Sequence, residues 1–200
     1  AGYLAVLDLI IYLYHNRDID VIVYYPKPFI PKQIPGDQHA AFTASHGFHA
    51  WADASWLLRS PAGYFLFMSG GPIDWASRLI RVICLSSAEA EISAGSMAGR
   101  RLVFVIELLG AFGIKLTAPI ALLIDNSAAG DLTKKFGVSA RTAHFLRWQH
   151  YLRWLVIHQY VAVVFVGTKE QLADILTKVV DISTFLMACR TLFTRRSLIK

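Results

Sequence analysis

Four acids stand where an acid is either unexpected or well placed to bind something: Asp53, Glu91, Asp125 and Asp174. Asp53 lies inside an apolar and aromatic run, Trp51-Ala-Asp-Ala-Ser-Trp56. Glu91 falls in the opening turns of a helical pattern, and Asp125 ends the continuous apolar run Pro119-Ile-Ala-Leu-Leu-Ile124. Asp174 sits in Gln171-Leu-Ala-Asp-Ile-Leu-Thr-Lys178. Carboxylates without cysteine, and without histidine at ligand spacing, suit a hard oxygen-preferring cation such as Mg²⁺ or Mn²⁺. Two such ions about 3.5–4 Å apart clamp the attacking and leaving oxygens of a phosphodiester. Each acid also has an ordinary use. Asp125 can cap a following helix, Asp174 can pair with Lys178 at i+4, and Glu91 can simply favour a helix N-terminus. Asp53 is hardest to explain that way, because an acid within a strand between two tryptophans needs a partner.

The elements that must carry these acids can be read from local pattern. Ser86 and Ser87 are good N-cap types, and Glu89 lies three residues after Ser86, as a capping box requires. A helix is expected from about Ser87 to about Phe112. Stepping from Glu91 along one face gives Gly95, Ala98, Leu102, Val105 and Leu109, small and then apolar. Stepping from Glu89 gives Ser93, Ser96, Arg100 and Glu107. The first stripe fits a sheet, so Glu91 is expected at the edge of a buried face and Glu89 as a solvated cap residue.

Along the rest of the chain, Gly2 to Asn16 reads as a helix and Asp18 to Tyr25 as a strand. Residues 26–45 contain a proline-rich linker, with Pro26, Pro28, Pro31 and Pro35 close together. Phe48 to Ala54, Gly63 to Ser69 and Ile73 to Ala76 read as strands, with Gly70-Gly71-Pro72 as a hairpin turn and Arg81 to Leu85 extending or following the third. Pro119 to Ile124 and Tyr160 to Val166 fit buried strands. Helices are expected over Asn126 to Phe136, Thr142 to about His158, Lys169 to Lys178 and Asp181 to Phe193. The order predicts an α/β fold with a mixed sheet covered by helices on both faces.

Composition narrows the class. The 200 residues are 55% hydrophobic and 17% charged, which excludes a disordered chain. A net charge of +6 favours a polyanionic partner. The two cysteines, Cys84 and Cys189, form no metal-ligand spacing and no disulfide framework, which fits a reducing, intracellular setting. No apolar run reaches the roughly 18 residues of a membrane span. The start lacks a basic signal region, and a first residue of alanine reads as a fragment or processed piece.

The motifs, in order, carry a family resemblance. Ala-Asp-Ala-Ser, Gly63-Tyr-Phe-Leu-Phe, Gly-Gly-Pro-Ile-Asp-Trp, Leu-Ser-Ser-Ala-Glu-Ala-Glu, Ile-Asp-Asn-Ser-Ala-Ala, Arg-Thr-Ala-His and Gln-Leu-Ala-Asp-Ile-Leu-Thr-Lys together resemble the ribonuclease H domain of copia-type retrotransposon Pol polyproteins. The resemblance covers residues 46–180. It implies a ribonuclease H-like mixed five-stranded sheet flanked by helices, and hydrolysis of the RNA strand of RNA–DNA hybrids. It implies that Asp53, Glu91, Asp125 and Asp174 hold two Mg²⁺ ions, Mn²⁺ substituting, with Asp53 bridging both. Residues 1–25 resemble the C-terminal tail of a reverse transcriptase, whose core would be a partner, and 181–200 read as a basic helical tail. Departures from the family pattern are a shorter loop between Trp56 and Arg59, Ser55 and Leu146 where acids are common, Ala143 for lysine and Gly167 for proline.

For nucleic-acid contact, Arg147, His150, Tyr151, Trp154 and His158 form a basic and aromatic stripe on the helix from Thr142, opposite Phe145, Trp148, Leu152 and Leu155. The resemblance adds His144. Tyr151 and Trp154 can equally pack on a neighbouring element. Two rivals remain: a catalytically inactive nucleic-acid-binding remnant, and a transposase-like or integrase-like nuclease, which the early position of Glu91 argues against.

Overall fold

The computed structural model describes residues 19–20, 47–68, 71–116, 119–126, 146–192 and 194–195. The expected helix at 2–16, most of the strand at 18–25, the linker at 26–45, all but the first residue of the helix at 126–136, and His144 lie outside the described residues. The strands are β1 (Ile19–Asp20), β2 (His49–Ala54), β3 (Pro61–Met68), β4 (Gly71–Leu79), β5 (Ile120–Ile124), β6 (Val161–Phe165) and β7 (Thr194–Arg195). The helices are α1 (Ser87–Ala111), α2 (Leu146–Ile157) and α3 (Ile182–Leu192). β1 and β7 form a two-residue antiparallel ladder, and the main sheet runs β4-β3-β2-β5-β6.

Strands β2, β3 and β4 are antiparallel neighbours, while β5 and β6 run parallel to β2 and to each other. The sheet is therefore mixed and five-stranded, as expected. β2 is buried along its whole length because both its faces are covered. Its even positions, Ala50, Ala52 and Ala54, join Leu122, Ile92, Ala98 and Leu152 in the core under α1 and α2. Trp51, on the opposite face, joins Phe67, Leu123, Leu172 and Leu192 in a second core. Alternation along the strand thus sends odd-numbered β2 residues toward the chain's C-terminal elements.

The first turn of α1 is built by its own side chains. The Ser86 hydroxyl accepts from the Glu89 amide at 3.2 Å, and Glu89 Oε2 accepts from the Leu85 amide at 2.7 Å. Glu89 is only 1% exposed, which corrects the expectation of a solvated residue. Its carboxylate folds back over the loop that enters the helix rather than out to water. The small stripe works as read: a Cβ at Gly95 would stand 3.2 Å from Leu152 Cδ2 and 3.6 Å from Leu122 Cδ2, so helix, helix and sheet meet there.

Three expected boundaries change. β4 runs to Leu79, past the expected end at Ala76, and Arg81 to Leu85 continue as irregular chain. The segment expected as a helix from Lys169 to Lys178 is two short 3₁₀ turns, Thr168–Glu170 and Leu172–Leu176. The tighter winding lets the second turn press directly on β3. A Cβ on Gly63 would lie 2.5 Å from Leu176 Cβ, so only glycine admits that approach.

Candidate metal centre

The sheet places the acids before any side chain is considered. Gly63 is the cross-strand partner of Asp53, and β5 pairs with β2 in parallel register, Trp51 opposite Leu123. Carried two residues further, that register sets Asp53 beside Asp125, at the C-terminal ends of adjacent parallel strands. Glu91 comes from the second turn of α1, and its Oε1 accepts from the Ala54 amide at 3.3 Å. Carboxylate oxygens of Asp53, Glu91 and Asp125 all lie within 4.8 Å of one another. Asp53 is 1% and Glu91 5% exposed, while Asp125 is half-buried.

Asp174 stands beside this trio, buried in the second 3₁₀ turn. Lys178 joins them: its Nζ is 2.8 Å from Asp174 Oδ1 and 3.7 Å from Asp53 Oδ1. The i+4 pairing of Asp174 with Lys178 therefore exists, but it faces the acids instead of a solvated surface. Thr177 Oγ1 donates to Asp53 Oδ2, and Gln171 Nε2 donates to the Ala52 carbonyl at 3.0 Å, fastening this segment to β2.

Electrostatics follow from that crowding. Burial, then the charges of Asp53 and Asp125, push the Glu91 carboxyl up to about 9. Burial and Asp53 raise Asp125, with Lys178 opposing. Burial raises Asp174 to about 6 against the hydrogen bond from Lys178. Three neighbouring carboxylates cannot all hold full charge without a cation, and Glu91 is the one that keeps its proton. Its Oε2 is buried and has no hydrogen-bond partner among the described residues. An all-carboxylate donor set with one buried oxygen left over fits a hard divalent cation. These residues can hold one.

The expected nucleic-acid residues divide. Arg147 and His150 are exposed on α2. Tyr151 is half-buried and packs against the core under α1, where burial raises its phenol, so it does not stand in an open stripe. Trp154 is partly exposed but stacks on His158 at 4.4 Å and on Tyr160 at 5.4 Å. The pattern missed Thr177, and it read Lys178 only as a partner of Asp174, not as a neighbour of Asp53. Their signal was present, since both complete the block that carries Asp174.

No family model matches the chain. It is 33% identical over 127 residues to the retrovirus-related Pol polyprotein from transposon TNT 1-94 of Nicotiana tabacum, covering 64% of this chain and 10% of that protein. Its homologues are plant-transposon Pol polyproteins. The corresponding protein from transposon RE1 of Arabidopsis thaliana is 30% identical over 163 residues, covering 74% of this chain and 11% of the polyprotein. The transposon RE2 protein of the same plant is 33% identical over 135 residues, covering 65% and 9%. This Pol-polyprotein homologue thus spans about a tenth of the length of the relatives it matches. Two solved structures are similar to it in part. RNase H1 of the halophilic archaeon Halobacterium salinarum is 20% identical with a TM-score of 0.46, covering 65% of this chain and 93% of that one. The N-terminal RNase H domain of a Mycobacterium tuberculosis protein is 14% identical with a TM-score of 0.48, covering 72% and 96%.

Proposed function

We propose that this chain is the ribonuclease H segment of a copia-type retroelement polyprotein and hydrolyses the RNA strand of RNA–DNA hybrids. The observation that carries the reading is the convergence of Asp53, Glu91 and Asp125 within 4.8 Å at the ends of β2, β5 and the start of α1. Asp53, Glu91, Asp125 and the neighbouring Asp174 would hold divalent ions, Mg²⁺ or Mn²⁺. Such ions supply Lewis acidity toward a phosphodiester and make water a nucleophile near neutral pH.

The chain's own residues prepare the site. The Thr177 hydroxyl and the Lys178 ammonium orient the Asp53 carboxylate from one side. The Ala54 amide fixes one Glu91 oxygen and leaves the other buried with no hydrogen-bond partner among the described residues. Glu91 has to give up its proton before it can serve as a charged ligand. Arg147 and His150, exposed on α2, are available to the nucleic-acid backbone. The reverse transcriptase core of the same polyprotein would be its working partner.

The test is a labelled RNA–DNA hybrid incubated with purified protein, with Mg²⁺ and with EDTA. Cleavage of the RNA strand only when Mg²⁺ is present supports the reading. Tight hybrid binding with no cleavage in Mg²⁺ or Mn²⁺ would overturn it in favour of an inactive binding remnant.

A further inference from the structure

The Lys178 ammonium sits between two carboxylates. Its Nζ is 2.8 Å from Asp174 Oδ1 and 3.7 Å from Asp53 Oδ1. Both acceptors are shielded, with side chains 8% and 1% exposed, while the lysine side chain is 35% exposed. The lysine therefore reaches inward from the rim of the site. Its backbone is held in place: the Lys178 amide donates to the Asp174 carbonyl at 3.0 Å, and the neighbouring Thr177 Oγ1 donates to Asp53 Oδ2. The next residue, Val179, is almost wholly exposed, so water meets the chain immediately beyond the lysine.

The acids divide around that ammonium. Carboxylate oxygens of Asp53, Glu91 and Asp125 come within 4.8 Å of one another, and among the described residues Asp174 joins no such group. What links Asp174 to Asp53 is the lysine. A divalent ion can reach the trio without taking the oxygen that Lys178 holds most closely. An ion that takes Asp174 Oδ1 cannot leave the lysine where it is. Magnesium–oxygen bonds are about 2.1 Å long, so with Nζ 2.8 Å from that same oxygen the ion would stand within about 5 Å of the ammonium. Two cations on one shielded acceptor repel, more strongly than they would in open water. The ammonium is the one that can move, because it is carried on a flexible four-carbon stem that already meets solvent.

We infer that Lys178 is a resident cation: its ammonium occupies the position between Asp53 and Asp174, a first divalent ion binds at Asp53, Glu91 and Asp125 with the lysine in place, and an ion reaches Asp174 only by displacing the ammonium into solvent. The inference rests on the metal-binding reading above and adds to it an order of loading and the group that imposes it.

The order is read without nucleic acid and without turnover. Mg²⁺ is titrated calorimetrically into protein stripped with EDTA and dialysed, at a fixed pH above the value of about 6 to which Asp174 is raised. The parent should bind one ion before a second, weaker one. Lys178→Met should tighten the second event by about tenfold, the order expected when a charge-assisted contact no longer has to be broken. Lys178→Gln should do the same. The gain should vanish when Asp174→Asn is added, which a cycle of single and double variants measures. Arg190→Gln, exposed on α3, removes a charge elsewhere and should leave both events at the parent's values. Thermal melts establish that each variant is folded. The parent alone supplies a second measurement: a lysine-acylating reagent should modify Lys178 slowly in EDTA and several-fold faster in saturating Mg²⁺, read by mass spectrometry of the peptide that carries it. A second event that is unchanged, weaker or absent in both Lys178 variants would overturn the proposal, because the ammonium would then only orient the carboxylates. A Lys178 no more reactive in saturating Mg²⁺ than in EDTA would overturn it too. If ions load in this order in a protein that never cleaves a hybrid, the catalytic reading fails and the resident cation stands. If the parent cleaves and the Lys178 variants load ions as the parent does, only the resident cation fails.

Discussion

Thr177 Oγ1 donates a hydrogen bond to Asp53 Oδ2, joining residues 124 positions apart in the chain. It ties the C-terminal 3₁₀ turn to the most buried of the acids. Thr177→Val keeps the shape and removes the donor. The variant should lose about 1–3 kcal/mol of stability, the usual cost of a buried polar group left without its partner. Hybrid cleavage should fall with it, and Thr177→Ser should recover most of both. Urea melts and a cleavage assay check this. Unchanged stability in Thr177→Val would mean the bond contributes nothing.

The metal-free protein should become less stable as pH rises. Glu91 has a folded pKa of about 9, above its ordinary value of 4.5. The folded state therefore binds more protons than the unfolded state between those values. Stability is fully present below about pH 4.5 and declines as pH rises toward 9. A divalent cation bound only by the native state opposes that decline. Melting temperatures in EDTA and in Mg²⁺ should diverge as pH rises from 6 to 9, and Glu91→Gln should flatten the EDTA curve. A constant gap between the two curves would contradict the assignment.

Asp53→Asn should abolish hybrid cleavage while leaving hybrid affinity near the parent's, because the charged contacts that give affinity lie on other residues. Glu89→Gln is the companion variant. Glu89 seals the start of α1, so the substitution should lower stability by an amount typical of a helix cap, about 1 kcal/mol. The Mg²⁺ dependence of cleavage should not change. A Glu89 variant that melts normally but loses metal dependence would reverse the roles of the two glutamates.

Burial raises the Asp174 carboxyl to about 6 even against the hydrogen bond and charge of Lys178, which hold it down. Lys178→Met removes that restraint, so Asp174 should hold its proton to higher pH. The acid limb of the pH–rate profile should move to higher pH, with less change on the alkaline side. Lys178→Arg should keep the parent's profile. A Lys178→Met profile superimposed on the parent's would show that the ammonium does not act on the cluster.

Much of this arrangement was legible along the chain. An apolar run ending in Asp125 and an acid within the Trp51–Trp56 run marked two strand ends. The stripe of Glu91, Gly95, Ala98 and Leu102 identified the buried side of α1, three of them 5% exposed or less among the residues given exposures. Glu89 was misread because local pattern reveals a cap but not what covers it, and Leu85 passes over this one. The turn around Asp174 was misread because helical spacing of Leu172, Ile175 and Leu176 does not distinguish an α-helix from a tighter turn. Its winding depends on contact with Gly63, a residue more than a hundred positions earlier. Thr177 and Lys178 gain their roles only through that contact.

The separation of the acids along the chain also sets an order of assembly. During synthesis, the antiparallel strands β2, β3 and β4 are complete by Leu79, and α1 with Glu91 follows. β5 must then insert beside β2 before Asp125 reaches the other two acids. Lys178 and Thr177 emerge last. A nascent chain thus carries its gathered negative charge for some fifty residues before its own counter-charge arrives, and over that interval a proton or a free cation must neutralise it.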